Sequence, residues 1–154
     1  MGYTFTIGNA KPKHHKDDFP YLSAEWDVEG MPHPDAPTFP NDEMTGNGNR
    51  RSPSYSVWSQ FCREVGLSSI FYDERGHLLG SHPGCYGLTP EMVAEVSAAL
   101  ARWKAKATLP PGFEKEWGYD GPPNYDYQLA RLMWLDWWCR WAIENCETPA
   151  IANY

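Results

Sequence analysis

The stretch Tyr127-Gln128-Leu129-Ala130-Arg131-Leu132-Met133-Trp134-Leu135-Asp136-Trp137-Trp138-Cys139-Arg140-Trp141-Ala142-Ile143 holds four of the chain's eight tryptophans. Wound as a helix at about 100° per residue, it turns apolar side chains to nearly its whole circumference. Met133, Asp136, Arg140 and Glu144 share one narrow, mostly charged stripe, and Gln128 and Arg131 stand apart from it. A helix that is apolar all round is buried by its neighbours. The pattern predicts a central helix over 124–146, capped by Asn124, with the rest of the fold packed around it. Asp136 and Arg140 also interrupt the only run that could otherwise reach 18 apolar residues, so no membrane span is expected.

Two further helices are predicted upstream. For the first, Ser52 is an N-cap with Pro53 in the first helical position. Val57, Phe61 and Val65 repeat every four residues beside Trp58 and Cys62, and Gly66 is a natural stop on which Leu67 can fold back. For the second, Thr89 caps, Pro90 and Glu91 open the helix, and Met92, Val93, Val96, Leu100 and Trp103 form the apolar stripe. Lys104 and Lys106 suit its C-terminus. Between the helices, Ile70-Phe71-Tyr72 and His77-Leu78-Leu79 flank a four-residue turn and predict a hairpin; residues 80–87 form a loop.

The N-terminal part is β-like. Tyr3, Phe5 and Ile7 alternate with Thr4 and Thr6, and Leu22, Ala24, Trp26 and Val28 alternate with Ser23, Glu25, Asp27 and Glu29. Both have the period of a half-buried strand, and the two should pair as an antiparallel hairpin. Prolines 32, 34, 37 and 40 then impose an extended run over the surface. The expected architecture is a single α+β domain over 1–154, with short antiparallel hairpins packed around a buried Trp-rich C-terminal helix and two further helices. It divides into a β-hairpin at 1–30, a Pro/Gly-rich extended loop at 31–51, helix-hairpin-helix at 52–107, a connector at 108–123 and the central helix at 124–146.

Net charge is −7, distributed as −5 over residues 1–49, +2 over 50–107 and −4 beyond. An acidic chain of this kind is unsuited to general nucleic-acid binding, which draws its affinity from neutralised phosphates. It leaves room for a small anionic ligand on the middle segment, or for a basic partner. No signal peptide is apparent, and Cys62, Cys85, Cys139 and Cys146 have no paired spacing. The chain is therefore expected in the cytoplasm with free thiols.

The strongest candidate site lies in residues 45–55. Thr45, Asn47, Asn49, Arg50, Arg51, Ser52, Ser54 and Tyr55 bring neutral donors and two guanidinium forks to a helix start, where free N–H groups and the dipole favour an anion. A phosphate or carboxylate would suit it. The plainer alternative is that Ser52 only caps the helix while Arg50 and Arg51 pair with Asp42 and Glu43. The four tryptophans 134, 137, 138 and 141 could form an aromatic wall for a flat ligand or a cation, or could simply be core. Asp136 and Arg140, four apart, are either a surface ion pair or paired charges facing a pocket.

Neither His14-His15 with Asp17-Asp18 nor His82 with Cys85 completes a metal-ligand set, so no metal is expected. No nucleophile elbow, cysteine-protease motif or nucleotide-binding fingerprint is present, so neither catalytic residues nor a cofactor are assigned.

The residues Thr45-Gly46, Asn49, Arg51-Ser52-Pro53-Ser54-Tyr55, Trp58 and Phe61-Cys62 form one recognisable set. With His82-Pro83-Gly84-Cys85, Leu88-Thr89, and the ending from Leu129 through Trp137-Trp138 and Arg140 to Cys146, the chain resembles small proteins encoded by tailed bacteriophages. The resemblance carries no activity with it. It implies the host-cell cytoplasm as the setting and antagonism of host defence as the context. The expected function is a non-enzymatic binding protein that sequesters a small anionic, phosphorylated ligand. The alternatives are an inhibitor of a host protein acting through acidic and aromatic surface, and a small enzyme of unrecognised class built on Asp136, Arg140 or a histidine.

Overall fold

The computed structural model describes residues 2–11, 19–22, 27–37, 48–72, 84–106 and 126–153. Its centre is a pair of antiparallel strands from opposite ends of the chain. Strand β1 (Phe5–Lys11) pairs with β6 (Pro149–Asn153) through Phe5↔Asn153, Ile7↔Ile151 and Asn9↔Pro149. On the far side of β6 lie β5 (Gly84–Gly87) and then β2 (Tyr21–Leu22). On the far side of β1 lie β3 (Asp27–Val28) and β4 (Arg50–Arg51), and all pairings are antiparallel. Among the described residues four helices complete the α+β domain: α1 (Tyr55–Val65), the single turn α2 (Ser68–Phe71), α3 (Pro90–Lys106) and α4 (Tyr127–Asn145).

Phe5, Ile7 and Ile151 face the helices and join Trp58, Phe61, Phe71, Val96, Leu132, Trp134, Leu135 and Trp138 in one core. The opposite face is floored by Ala10, Ala150, Ala152, Val28 and Cys85, with Phe19 against them. The central strands are thus buried on both faces. Thr6, expected on a wet face, is fully buried. A polar residue between two apolar ones marks an exposed face only where nothing covers it.

Helix α4 meets expectation: Leu129, Ala130, Leu132, Trp134, Leu135, Asp136, Trp138, Cys139 and Ala142 are all buried. Its cap is Asp126, which accepts from Leu129 N at 2.9 Å; Asn124 lies outside the described residues. Helix α3 begins as the sequence predicts, with Thr89 Oγ1 accepting from Met92 N at 3.3 Å. Gly66, at φ 80°, ends α1, and Leu67 N donates back to Cys62 O at 2.8 Å. That left-handed residue is where the absent Cβ matters.

Four local expectations are corrected. Helix α1 is capped by Ser54, not Ser52: Pro53 O accepts from Tyr3 N, which holds the chain extended for two more residues. Ile70-Phe71 belongs to α2 rather than a strand, since the turn after Gly66 restarts a helix from Leu67; the partner residues 77–79 lie outside the described residues. Residues 84–87 are a strand, not loop. The expected pairing with β1 holds at Val28, which pairs antiparallel with Ala10, but not at Leu22, which pairs with Cys85 at the other edge of the sheet; Ala24 and Trp26 lie outside the described residues. The connector 108–123 lies outside the described residues. No helix among the described residues is long and apolar enough to cross a membrane.

Candidate functional site

The free edge of β1 changes partner along its length, from β4 at Phe5–Thr6 to β3 at Ala10–Lys11. Asn49 fills the gap. Its backbone O accepts from Ile7 N at 3.1 Å and its backbone N donates to Met31 O. Its side-chain amide donates to Ile7 O and Glu29 O, both at 2.8 Å, and its side-chain oxygen accepts from Met31 N at 2.6 Å. Asn49 is fully buried, and both amide hydrogens are consumed in joining three backbone segments. It is a structural staple, with its side-chain donors committed to the backbone.

Arg50 emerges beside this staple. Its Nε donates to the buried Thr6 hydroxyl at 3.1 Å, and the guanidinium lies along Gly30, so closely that a Cβ there would come within 3.2 Å of its carbon. Arg50 is exposed, and its terminal nitrogens meet no carboxylate among the described residues. Two clefts meet at this side chain. The larger, about 620 Å³, is bounded by Thr4, Lys11, Asp27, Glu29, Gly30 and Arg50. The smaller, about 350 Å³, is bounded by Gly30, Met31, Pro32, Gly48, Asn49 and Arg50. In the larger cleft Lys11 Nζ and Glu29 pair at 3.4 Å with both side chains well exposed. Such a pair contributes at most about 1 kcal/mol and yields readily to a competing anion.

The other predicted site residues divide around this centre. Ser52 Oγ and Thr4 Oγ1 lie 3.4 Å apart at the surface and extend the rim of hydroxyls. Arg51 sits opposite Phe5 and is half-buried. Ser54 caps α1, and Tyr55 packs edge-on against Tyr3 at 4.6 Å. Thr45 and Asn47 lie outside the described residues. Asp136 and Arg140 are not part of this cleft: the buried Asp136 carboxylate accepts from Arg140 Nε at 2.9 Å and from Ser97 Oγ of α3, tying α3 to α4.

The tryptophan wall is occupied from within. His33, on the Pro-rich segment, sets its ring 5.0 Å from Trp137, 6.4 Å from Trp138 and 6.0 Å from Trp141. Asp35 N donates to His33 Nδ1 at 3.1 Å, and Trp134 Nε1 donates to Gly48 O at 2.9 Å. These contacts clamp the two sides of the smaller cleft onto α4. Sequence patterns had no means of showing that residues 31–33 would cover the wall or that Lys11, Asp27 and Glu29 would join Arg50, because every one of these meetings is long-range.

Three tyrosines form a second exposed feature. Tyr55 and Tyr72 are among the most exposed large side chains described, and Tyr3 stacks between Tyr55 and Phe5. The Tyr3 and Tyr72 hydroxyls share a hydrogen bond, and burial pushes both up from the ordinary tyrosine range. Among the described residues no group of three or more His, Cys, Asp or Glu could hold a metal ion. No family model, curated protein or solved structure matches this chain.

Proposed function

We propose that the protein is a binding protein that sequesters a small phosphorylated or carboxylated ligand on Arg50, in the phage-infected host cytoplasm that the sequence resemblance implies. One observation carries this reading: an exposed guanidinium, anchored through Nε and Gly30, holds its remaining donors toward two clefts. Anchoring matters because a preorganised fork loses little freedom on meeting an anion. The helix N-terminus is not needed, since Ser54 already takes up one of its amides. Lys11 supplies a second cation once a ligand displaces Glu29, and Thr4 and Ser52 supply neutral donors. Among the described residues nothing in the cleft pairs a nucleophile with a base, and binding rather than catalysis is the job proposed.

The test is thermal stabilisation of the purified protein by inorganic phosphate, pyrophosphate and adenosine monophosphate. Arg50→Ala should abolish the stabilisation by whichever probe binds while leaving the unliganded melting point near that of the parent. Glu29→Gln should tighten binding about twofold to fivefold by freeing Lys11, an effect that shrinks as salt rises. Equal stabilisation of parent and Arg50→Ala would defeat the proposal.

A second reading, inhibition of a host protein, is favoured by the exposed Tyr55 and Tyr72, which flank the partly buried Tyr3, since exposed tyrosines are enriched at protein interfaces. Host antagonism that survives Arg50→Ala but is lost in a Tyr55→Ser, Tyr72→Ser double variant would choose this reading instead.

A further inference from the structure

A second cavity, unconnected with the Arg50 cleft, opens at the other end of the sheet. It measures about 430 Å³ and its walls include Phe19, Leu88, Ile143, Cys146, Thr148 and Pro149. The walls are fixed by the backbone. Leu88 N donates to Pro149 O at 2.8 Å, Thr148 N donates to Asn9 Oδ1 at 2.8 Å, and Cys146 N closes the last turn of α4 on Ala142 O. The Phe19 ring lies against Gly87, in the space a Cβ would fill. A preformed apolar cavity of this size, held by three elements, falls in the range of small-molecule sites.

Thr148 gives the cavity its polarity. The residue is 7% exposed, and its side chain makes no hydrogen bond with the described residues although its backbone is fully engaged. The hydroxyl on the cavity wall is thus left available to a bound molecule. Among the described residues the only charged side chain on the walls is Glu147, which is exposed and already engaged with another group. An ion of either sign would have to surrender its water to a mainly apolar lining.

We infer that this cavity binds a neutral, mainly apolar ring system of about two fused rings that exchanges one hydrogen bond with the Thr148 hydroxyl. The inference does not rest on the Arg50 cleft, which takes ligands of opposite character.

Cys146 supplies the reporter. It is half-buried on the cavity wall, whereas Cys62, Cys85 and Cys139 are buried. Burial pushes its thiol up to about 11, so its alkylation by iodoacetamide is slow at neutral pH and climbs about tenfold per pH unit below that value. Indole is the probe, and the rate of Cys146 alkylation in the full chain is followed by mass spectrometry. Indole should slow it saturably, and Thr148→Val, which keeps the shape and removes the hydroxyl, should weaken the half-protection concentration about threefold to tenfold. Indole-3-acetate should protect far less, and Arg50→Ala should protect as well as the parent. Unsaturated or absent protection up to the solubility of indole overturns the inference. So does equal protection of Thr148→Val, once circular dichroism shows that variant folded.

Discussion

At the scale of single residues, the fold turns on how one polar side chain is spent. Asn49 looks in the sequence like a loop residue beside two glycines, suited to greeting a ligand. Instead it satisfies two carbonyls and one amide where the edge of β1 changes partner. Removing it strands those groups, the Ile7 carbonyl fully buried and the other two partly so. Asn49→Ala should therefore lower the unfolding free energy by about 2–4 kcal/mol, read as a shift of the urea midpoint at unchanged slope. A loss within experimental error of zero would mean that the segments 29–31 and 49–51 are not held as described. Arg50 is the opposite case. Its exposed fork contributes little to stability, but its Nε partners the buried Thr6 hydroxyl, so the same experiment on Arg50→Ala should show a shift of about 1 kcal/mol, smaller than that of Asn49→Ala. Adjacent residues of similar polarity thus divide into one that builds the cleft and one that fills it.

At the scale of elements, legibility follows how local the cause is. The helices α3 and α4 and the end of α1 could be read because caps, dipole residues and apolar stripes act over a few neighbouring residues. The start of α1 slipped by two residues because a long-range bond, Tyr3 N to Pro53 O, overrode a good local cap. Strands β5 and β6 were not legible. Gly84-Cys85-Tyr86-Gly87 and Pro149-Ala150-Ile151-Ala152-Asn153 are short and buried on both faces, so neither shows the polar alternation that identifies a strand. The continuous apolar run at 150–152 was the one available signal. The Asp136–Arg140 pair is an element-scale device as well. It is four apart on α4, but its carboxylate also takes the Ser97 hydroxyl of α3. Asp136→Ala should cost about 2 kcal/mol by unpairing the two helices, and Arg140→Met, whose side chain is 52% exposed, about 1 kcal/mol or less. Neither should alter anion-induced stabilisation. A change there would place these residues in the binding site after all.

At the scale of the molecule, the chain's two ends make the centre of its sheet. Strand β6 lies between β1 and β5, and Ile151 pairs directly with Ile7 while reaching into the helical core. The described strands β1 and β5 are therefore joined by residues 149–153, which raises the sequence separation of the contacts that define the fold. The same arrangement explains why β2 and β3 sit at opposite edges: β1, β6 and β5 must all lie between them. It also separates the two proposed sites, the Arg50 cleft beside β1 and the Thr148 cavity beside the start of β6. Ile151→Ala should cost about 3 kcal/mol, a large share of the 5–15 kcal/mol on which a domain of this size stands. A chain ended after Glu147 loses the strand altogether and leaves β1 and β5 each with an unpaired edge. It should give no cooperative urea transition and no near-ultraviolet dichroism from its buried tryptophans, while helical signal persists in the far ultraviolet. A truncated chain that kept the near-ultraviolet spectrum of the parent would show that the helices alone specify the core, and that the sheet is assembled on them rather than with them.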